Sequence, residues 1–218
     1  MPNWLKKKFN ANVPVPLNDT SIQSLRYAIV DTELTSLDHR TNRLLSIGAI
    51  LMQGPSIQLG QQFYRVVNSP VSIPAETVVI HKLRSEDIRE GEKLEPVLDD
   101  FSRFVGGAVL VGHFVRIDWK VLQKEMQAFS LRLDHPIVDT ARVHHWLLRR
   151  RLYREDLHVH LDAIDLASVA RFYHLEVGGA HHALADAFLT AQIWQRMLPL
   201  LKQCGIESLR KLLRIGLP

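Results

Sequence analysis

The apolar run Tyr27-Ala28-Ile29-Val30 leads directly into Asp31-Thr32-Glu33, and a buried strand that ends in two carboxylates is costly. Side chains alternate along a strand, so residues i and i+2 share a face and both acids point the same way. Crowded carboxylates raise each other's pKa and destabilise a fold unless something positive offsets the repulsion. A hard divalent cation suits oxygen ligands and would do so. A strand end emerging into solvent is the other arrangement this segment allows.

A chain of 218 residues with 46% hydrophobic content suffices for one substantial core and is a little long for a single α/β domain. It reads as an N-terminal arm (1–24), a main domain (25–203) and a C-terminal helical extension (204–218). The balance of 27 Lys and Arg against 23 Asp and Glu gives a net charge of +4. If several carboxylates gather in one site, the remaining surface is more basic than that total, which suits a polyanionic partner. One cysteine, Cys204, excludes an internal disulfide and a cysteine-rich metal site, and fits a cytoplasmic location. Lys6-Lys7-Lys8 has no apolar stretch behind it, so a signal peptide or membrane anchor is not expected, nor is any bilayer-spanning segment.

Strands come first and helices later. Three strands are expected, Arg26 to Leu34, Leu44 to Gln53 and Gln58 to Val67, their short connections implying antiparallel neighbours and a hairpin at Gly54-Pro55-Ser56. Helical patterning follows Pro74, with Pro96 opening a helix that carries Val97, Phe101, Phe104 and Val105 on one face. A short strand at Ala108 to Gly112, a helix from about Asp118 to Phe129 and a strand near Pro136 to Val138 come next. Helices are expected near 140–150, 162–173 and 182–200, and Gly205 breaks the last of these before an amphipathic segment, Glu207 to Leu213.

Two further acids fall where a site would need them. Asp118 stands just beyond the C-terminal end of Val109-Leu110-Val111-Gly112, where open α/β sheets commonly bind ligands, although a helix-start Asp has the same appearance. Asp186 sits among small residues in Ala183-Leu184-Ala185-Asp186-Ala187, just after His181 and His182, which offer a proton acceptor in the physiological range.

The segments Asp31-Thr32-Glu33-Leu34-Thr35-Ser36, Leu45-Ser46-Ile47-Gly48-Ala49, Ile80-His81-Lys82-Leu83, Val111-Gly112-His113 to Asp118, Asp139-Thr140 and His181 to Asp186 follow in a telling order. Together they resemble the DEDD (DnaQ-like) 3'-5' exonuclease superfamily, in its His-containing branch, over about residues 26 to 200. That superfamily includes the proofreading epsilon subunit of bacterial DNA polymerase III and ribonuclease T. The resemblance implies a ribonuclease H-like α/β fold, a mixed five-stranded sheet flanked by helices. It implies catalytic Asp31, Glu33, Asp118, Asp186 and His181, the four carboxylates holding two Mg²⁺ or Mn²⁺ ions. Two such ions, about 4 Å apart, activate a water, neutralise phosphoryl oxygens and assist the leaving 3'-oxygen. By the same analogy Asp31 bridges both ions, Glu33 and Asp186 complete the nucleophile-side ion, Asp118 holds the other largely through water, and His181 takes the water's proton.

The departures bear on substrate geometry. Ser36 stands where the family usually has glycine, Phe114 where it has asparagine, and Lys82 where it often has glycine. Thr35, Ser36, His81, Lys82 and Phe114 are the candidate substrate contacts, with core repacking the alternative for Phe114 and simple solvation for Lys82. His144-His145 and His158 with His160 lack accompanying ligands and read as surface or interface residues rather than a second metal site. Arg149-Arg150-Arg151 with Arg154 is either a phosphate-contacting patch or a solvated helix end. Trp119, Trp146 and Trp194 read as core.

Between His181 and His182, helical spacing favours His182, which is i−4 from Asp186, whereas the resemblance favours His181, on a flexible Gly178-Gly179 approach. The expected partner is nucleic acid with a free 3' end, single strands preferred, with a polymerase or a second copy of the chain as possible protein partners. DNA proofreading or repair is the leading expectation. RNA trimming, or a polymerase-associated binding module without catalysis, is the alternative.

Overall fold

A computed structural model of the chain describes residues 18–36, 42–69, 83–150, 164–178 and 182–218. β1 (Arg26–Leu34) and β2 (Leu44–Gln53) are buried at nearly every position because both are central strands, covered on two faces. β3 (Ser56–Val66) is an edge strand that leaves Leu59 in solvent while Phe63 is buried. It begins two residues earlier than expected because the hairpin turn is tight, with Gly54 at φ +53°, a conformation that favours glycine.

Helices follow as α1 (Ser85–Arg89) and α2 (Leu94–Val105), then β4 (Val109–Gly112), α3 (Arg116–Ala128) and β5 (Ile137–Asp139). The remainder is α4 (Thr140–Arg149), α5 (Leu166–Phe172), α6 (Ala183–Gln203) and α7 (Leu209–Gly216). Pro96 lies inside the first turn of α2 rather than at its start, where a missing N–H still costs nothing. α3 starts two residues before Asp118, which places that acid in the first turn instead of at the cap.

Among the described residues the five strands form one sheet in the order β3-β2-β1-β4-β5. β1, β2 and β3 pair antiparallel, while β4 and β5 join β1 in parallel. Tyr27, Ile29, Ile50, Val109 and Val111 form one apolar layer with Trp194, Met197 and Leu198 of α6. Ala28, Val30, Ala49 and Leu110 form the other with Val97, Phe101, Val121 and Leu122 of α2 and α3. This is the expected mixed five-stranded sheet flanked by helices.

The arm boundary drawn at residue 24 needs correction. Ile22 is fully buried in the first core layer together with Leu209 and Leu212 of α7. Ile22 N–H donates to Glu207 O (3.0 Å) and Leu209 N–H to Thr20 O (3.0 Å), so residues 18–24 and the C-terminal segment brace each other against the sheet. Proline and polar composition hid the single apolar side chain that anchors this flank.

Candidate active site

The strand alternation that fills the core also sorts the acids. Tyr27 and Ile29 pack on the α6 side, Ala28 and Val30 on the α2 and α3 side. Continued to the end of β1, the same period sends Asp31 and Glu33 toward α6 and Thr32 toward α3. Asp186, in the first turn of α6, meets the first pair: one carboxylate oxygen of each of Asp31, Glu33 and Asp186 lies within 4.8 Å of the others. Asp118, from the first turn of α3, meets Thr32, whose N–H and hydroxyl both donate to Asp118 Oδ1, at 3.0 and 2.5 Å.

The approach of α6 depends on Gly48, which pairs with Asp31 across the β1–β2 ladder. A Cβ at Gly48 would stand 2.2 Å from Ala183 C and from Leu184 N, so only a residue without a side chain lets the helix start settle on β2. Asp186 follows within the same turn.

The electrostatics of this cluster call for a cation. Burial, and then the charges of Asp118, Asp186 and Glu33, push the Asp31 carboxyl well above its ordinary range. Burial and the charges of Asp186 and Asp118 raise Glu33 from 4.5 to about 7. Burial also raises Asp118, to about 6, against the two Thr32 hydrogen bonds that favour its ionised form. Three convergent oxygen donors whose ionisation is opposed by one another fit a hard divalent ion.

The other expected residues are distributed unevenly. His181, His81 and Lys82 lie outside the described residues, as do His158, His160, Arg151 and Arg154. His182 stands at the start of α6 in extended conformation, its carbonyl accepting from Asp186 N–H at 3.0 Å. Because the helix begins at Ala183, the i, i+4 argument for His182 loses its premise. Its ring stacks instead on Tyr64, 4.5 Å between centroids.

Thr35 is buried, and its hydroxyl accepts from Arg43 N–H (2.9 Å), fastening the β1–β2 connection. Ser36 is half-buried, its hydroxyl without a hydrogen-bond partner among the described residues. Phe114 is 41% exposed at φ +53°, packed edge-on against His113, with its N–H donating to Asp139 Oδ1 at 3.2 Å. Phe114 is thus packed on one side and open to solvent on the other.

His144 is buried against Phe172 and Tyr173, so it is a core residue rather than a surface one; its neighbour His145 is exposed. Burial lowers the pKa of His144 to about 4, keeping it neutral. Trp194 is fully buried, while Trp119 and Trp146 are half-buried against the core. Sequence reasoning missed Thr32, Gly48, Tyr64 and Asp139 as supports of the site. The alternation itself pointed to Thr32, since a polar residue between two acids must face the opposite helix layer.

Acidic side chains gathered from β1, α3 and α6 at one end of a mixed sheet define a metal-dependent hydrolase type of site. The comparisons with known proteins then identify the family. Residues 28–194 match the exonuclease family RNase_T, more than half of the chain, and the chain belongs to that family. Its membership implies dependence on a divalent metal, in accord with the carboxylate cluster.

The chain is 28% identical over 180 residues to the DNA polymerase III epsilon subunit of Rickettsia conorii, covering 81% of this chain and 75% of that protein. It is 25% identical over 195 residues to the PolC-type DNA polymerase III of Thermotoga petrophila, covering 89% of this chain but spanning only 13% of that protein. Among solved structures, cell-death related nuclease 4 matches with a TM-score of 0.68 at 16% identity, over 82% of this chain and 65% of that one. E. coli exonuclease I in complex with a dT13 oligonucleotide matches with a TM-score of 0.69 at 16% identity, over 84% of this chain and 43% of that one. These likenesses show the shared ribonuclease H-like fold. Among the described residues no helix is long and apolar enough to cross a membrane.

Proposed function

We propose that the chain is a 3'-5' exonuclease that hydrolyses phosphodiester bonds at the 3' ends of DNA, single strands preferred, releasing nucleoside monophosphates in proofreading or repair. The convergence of Asp31, Glu33 and Asp186 within 4.8 Å, with Asp118 fixed beside them by Thr32, carries this reading. DNA is favoured over RNA because polymerase III epsilon subunits are among the relatives and a neighbour of the same fold is seen with dT13. The same relatives make a polymerase the candidate protein partner, with a second copy of the chain as the alternative, and fit a cytoplasmic setting.

Asp31, Glu33 and Asp186 would hold one divalent ion, and Asp31 with Asp118 a second. Mg²⁺ or Mn²⁺ bound there supplies an activated water, neutralisation of the phosphoryl oxygens and help for the leaving 3'-oxygen. Thr32 orients Asp118 through two hydrogen bonds to Oδ1, which favour the ionised form against burial. His181 accepts the proton of the attacking water, a task for which an imidazole with a reference pKa of about 6.5 is suited near neutrality. The Tyr64–His182 stack packs the entrance of α6 against β3, while Asp186 N–H is held by the His182 carbonyl. Phe114 offers an exposed ring on which a base can stack.

The test uses 5'-labelled linear single-stranded DNA, circular single-stranded DNA and RNA, each with Mg²⁺ or Mn²⁺. Stepwise shortening of the linear DNA from its 3' end, with the circle intact and RNA slower, is expected. Cutting of the circle at a comparable rate would show an endonuclease instead.

A further inference from the structure

The last segment of the chain builds a charged surface together with α4. A Cβ on Gly216 would lie 2.8 Å from Val138 Cγ1 and 3.1 Å from Val143 Cγ2, so α7 ends against the start of α4. At the opposite end, burial pushes the Cys204 thiol up while the guanidinium of Arg150, just past α4, pulls it down; the two are therefore neighbours. The stretch from 204 to 216 thus runs antiparallel to α4 and packs on it.

Each helix buries one side, Val143 and Leu147 on α4 and Leu209 and Leu212 on α7. Solvent receives Arg142 and Arg149, two helical turns apart on one face, with Arg150 beyond them. From α7 it receives Arg210, Lys211 and Arg214, positions i, i+1 and i+4. Neither helix contains an acidic residue.

Arg150 is held over the Trp146 ring at 4.7 Å, Lys211 donates to Gly205 O at 2.9 Å, and Arg210 reaches the exposed Asp19 at 3.4 Å. Among the described residues Arg142, Arg149 and Arg214 have no carboxylate within salt-bridge distance. Six like charges along roughly 15 Å of helix, at about 1.5 Å per residue, with Asp19 their one carboxylate partner among the described residues, favour an extended anion over a point ligand. Five of the six are arginines, whose planar fork suits phosphate oxygens.

The face is continuous with the catalytic end of the sheet. α4 starts from Asp139, whose Oδ1 accepts both Ala141 N–H (2.9 Å) and Phe114 N–H (3.2 Å), and Phe114 belongs to the loop that delivers Asp118. Arg142 is therefore one turn from the carboxylate site's border, and the other cations lead away from it.

We propose that the exposed face shared by α4 and α7 binds the sugar–phosphate backbone of the nucleic-acid strand whose 3' end occupies the carboxylate site. The assignment of the strand's end rests on the exonuclease reading; the binding of the backbone does not require turnover. A strand held this way is gripped by phosphates alone, so the contribution is independent of sequence and sensitive to salt.

The experiment measures fluorescence anisotropy of labelled oligo-dT, from four to twenty nucleotides, on the full chain carrying Asp31→Ala in chelator, so that no hydrolysis occurs. Into this background go Arg142→Gln, Arg149→Gln and Arg214→Gln together or, as a control, Arg89→Gln, Lys93→Gln and Arg196→Gln together, all at exposed positions. The first set should weaken the twenty-mer at least tenfold and the tetramer far less, and should flatten the slope of log K against log salt by about 2, at about 0.7 per phosphate contact on single strands. The control set should do neither. Equal losses from both sets, or an unchanged twenty-mer affinity and slope in the first, would overturn the proposal. Polyglutamate binding that matches the twenty-mer and vanishes in the first set would assign the face to an acidic protein instead. A wild-type protein that fails to shorten DNA would refute the exonuclease reading alone, since the anisotropy comparison decides the face without it.

Discussion

Gly48→Ala is the substitution that most sharply separates the site's geometry from its chemistry. The added methyl would stand 2.2 Å from Ala183 C and Leu184 N and 2.4 Å from Ala183 O, all backbone atoms that cannot rotate away. Ordinary carbon contacts begin near 3.5 Å, so the start of α6 must retreat by about 1 Å. Overpacking of this kind costs about 1–3 kcal/mol. At about 2–4 °C per kcal/mol for a chain of this size, the melting temperature should fall by roughly 2–12 °C. Asp186 moves with the helix start, and a misplacement of about 1 Å costs on the order of 100-fold in rate.

Thermal melts in chelator and kcat on a single-stranded oligonucleotide measure the two effects. Gly60→Ala, on the edge strand β3, serves as control, because a Cβ there meets nothing within 4 Å among the described residues. The expected result is a large loss in kcat with the stated drop in melting temperature for Gly48→Ala and neither for Gly60→Ala. Full kcat in Gly48→Ala despite the lowered melting temperature would refute the dependence of Asp186 on this contact.

Three further outcomes are expected. In metal-free buffer Glu33 has a folded pKa of about 7 against an ordinary 4.5, so its contribution favours folding below about pH 4.5 and is lost as pH rises through 7. Asp31, pushed up in the same direction by burial and its neighbouring acids, adds to the decline, so Asp31→Asn should flatten it and raise the melting temperature in chelator near pH 8, which a pH series of thermal melts would check. His181→Ala should lower kcat by roughly two to four orders of magnitude and flatten the acidic limb of the pH-rate profile. His182→Ala, which removes only the stack on Tyr64, should be much milder; a side-by-side assay with the reverse order would transfer the base to His182. Phe114→Asn should relieve strain at φ +53°, raising stability by up to about 1 kcal/mol, while weakening single-stranded DNA binding by roughly 1–3 kcal/mol of lost stacking; unchanged affinity by anisotropy would remove the ring from the substrate path.

β1 and β2 were legible to the residue because both are central, apolar and bounded by turn signals. Period two along β1 also foretold that Asp31 and Glu33 face one way, and the cluster with Asp186 follows from it. Helix starts were less legible, since α2 and α3 begin at Leu94 and Arg116 with no side-chain cap to mark them. The burial of Ile22 depends on a segment nearly 190 residues away, which no local pattern encodes. Likewise the Tyr64–His182 stack joins an edge strand to a distant helix start, and nothing in either segment announces the other. His144 was misread because its burial comes from Phe172 and Tyr173, contacts that only the packing of α5 on α4 creates.

The central claim, that the four acids hold divalent ions on which 3'-end hydrolysis depends, is tested most directly by titrating Mn²⁺ calorimetrically into the wild type and the Asp31→Asn protein while following release of the 3'-terminal nucleotide from single-stranded DNA. Saturable Mn²⁺ binding and nucleotide release in the wild type, with both lost in Asp31→Asn and release abolished by chelator, is the predicted result. Undiminished release by Asp31→Asn, or by the wild type in excess chelator, would contradict the account.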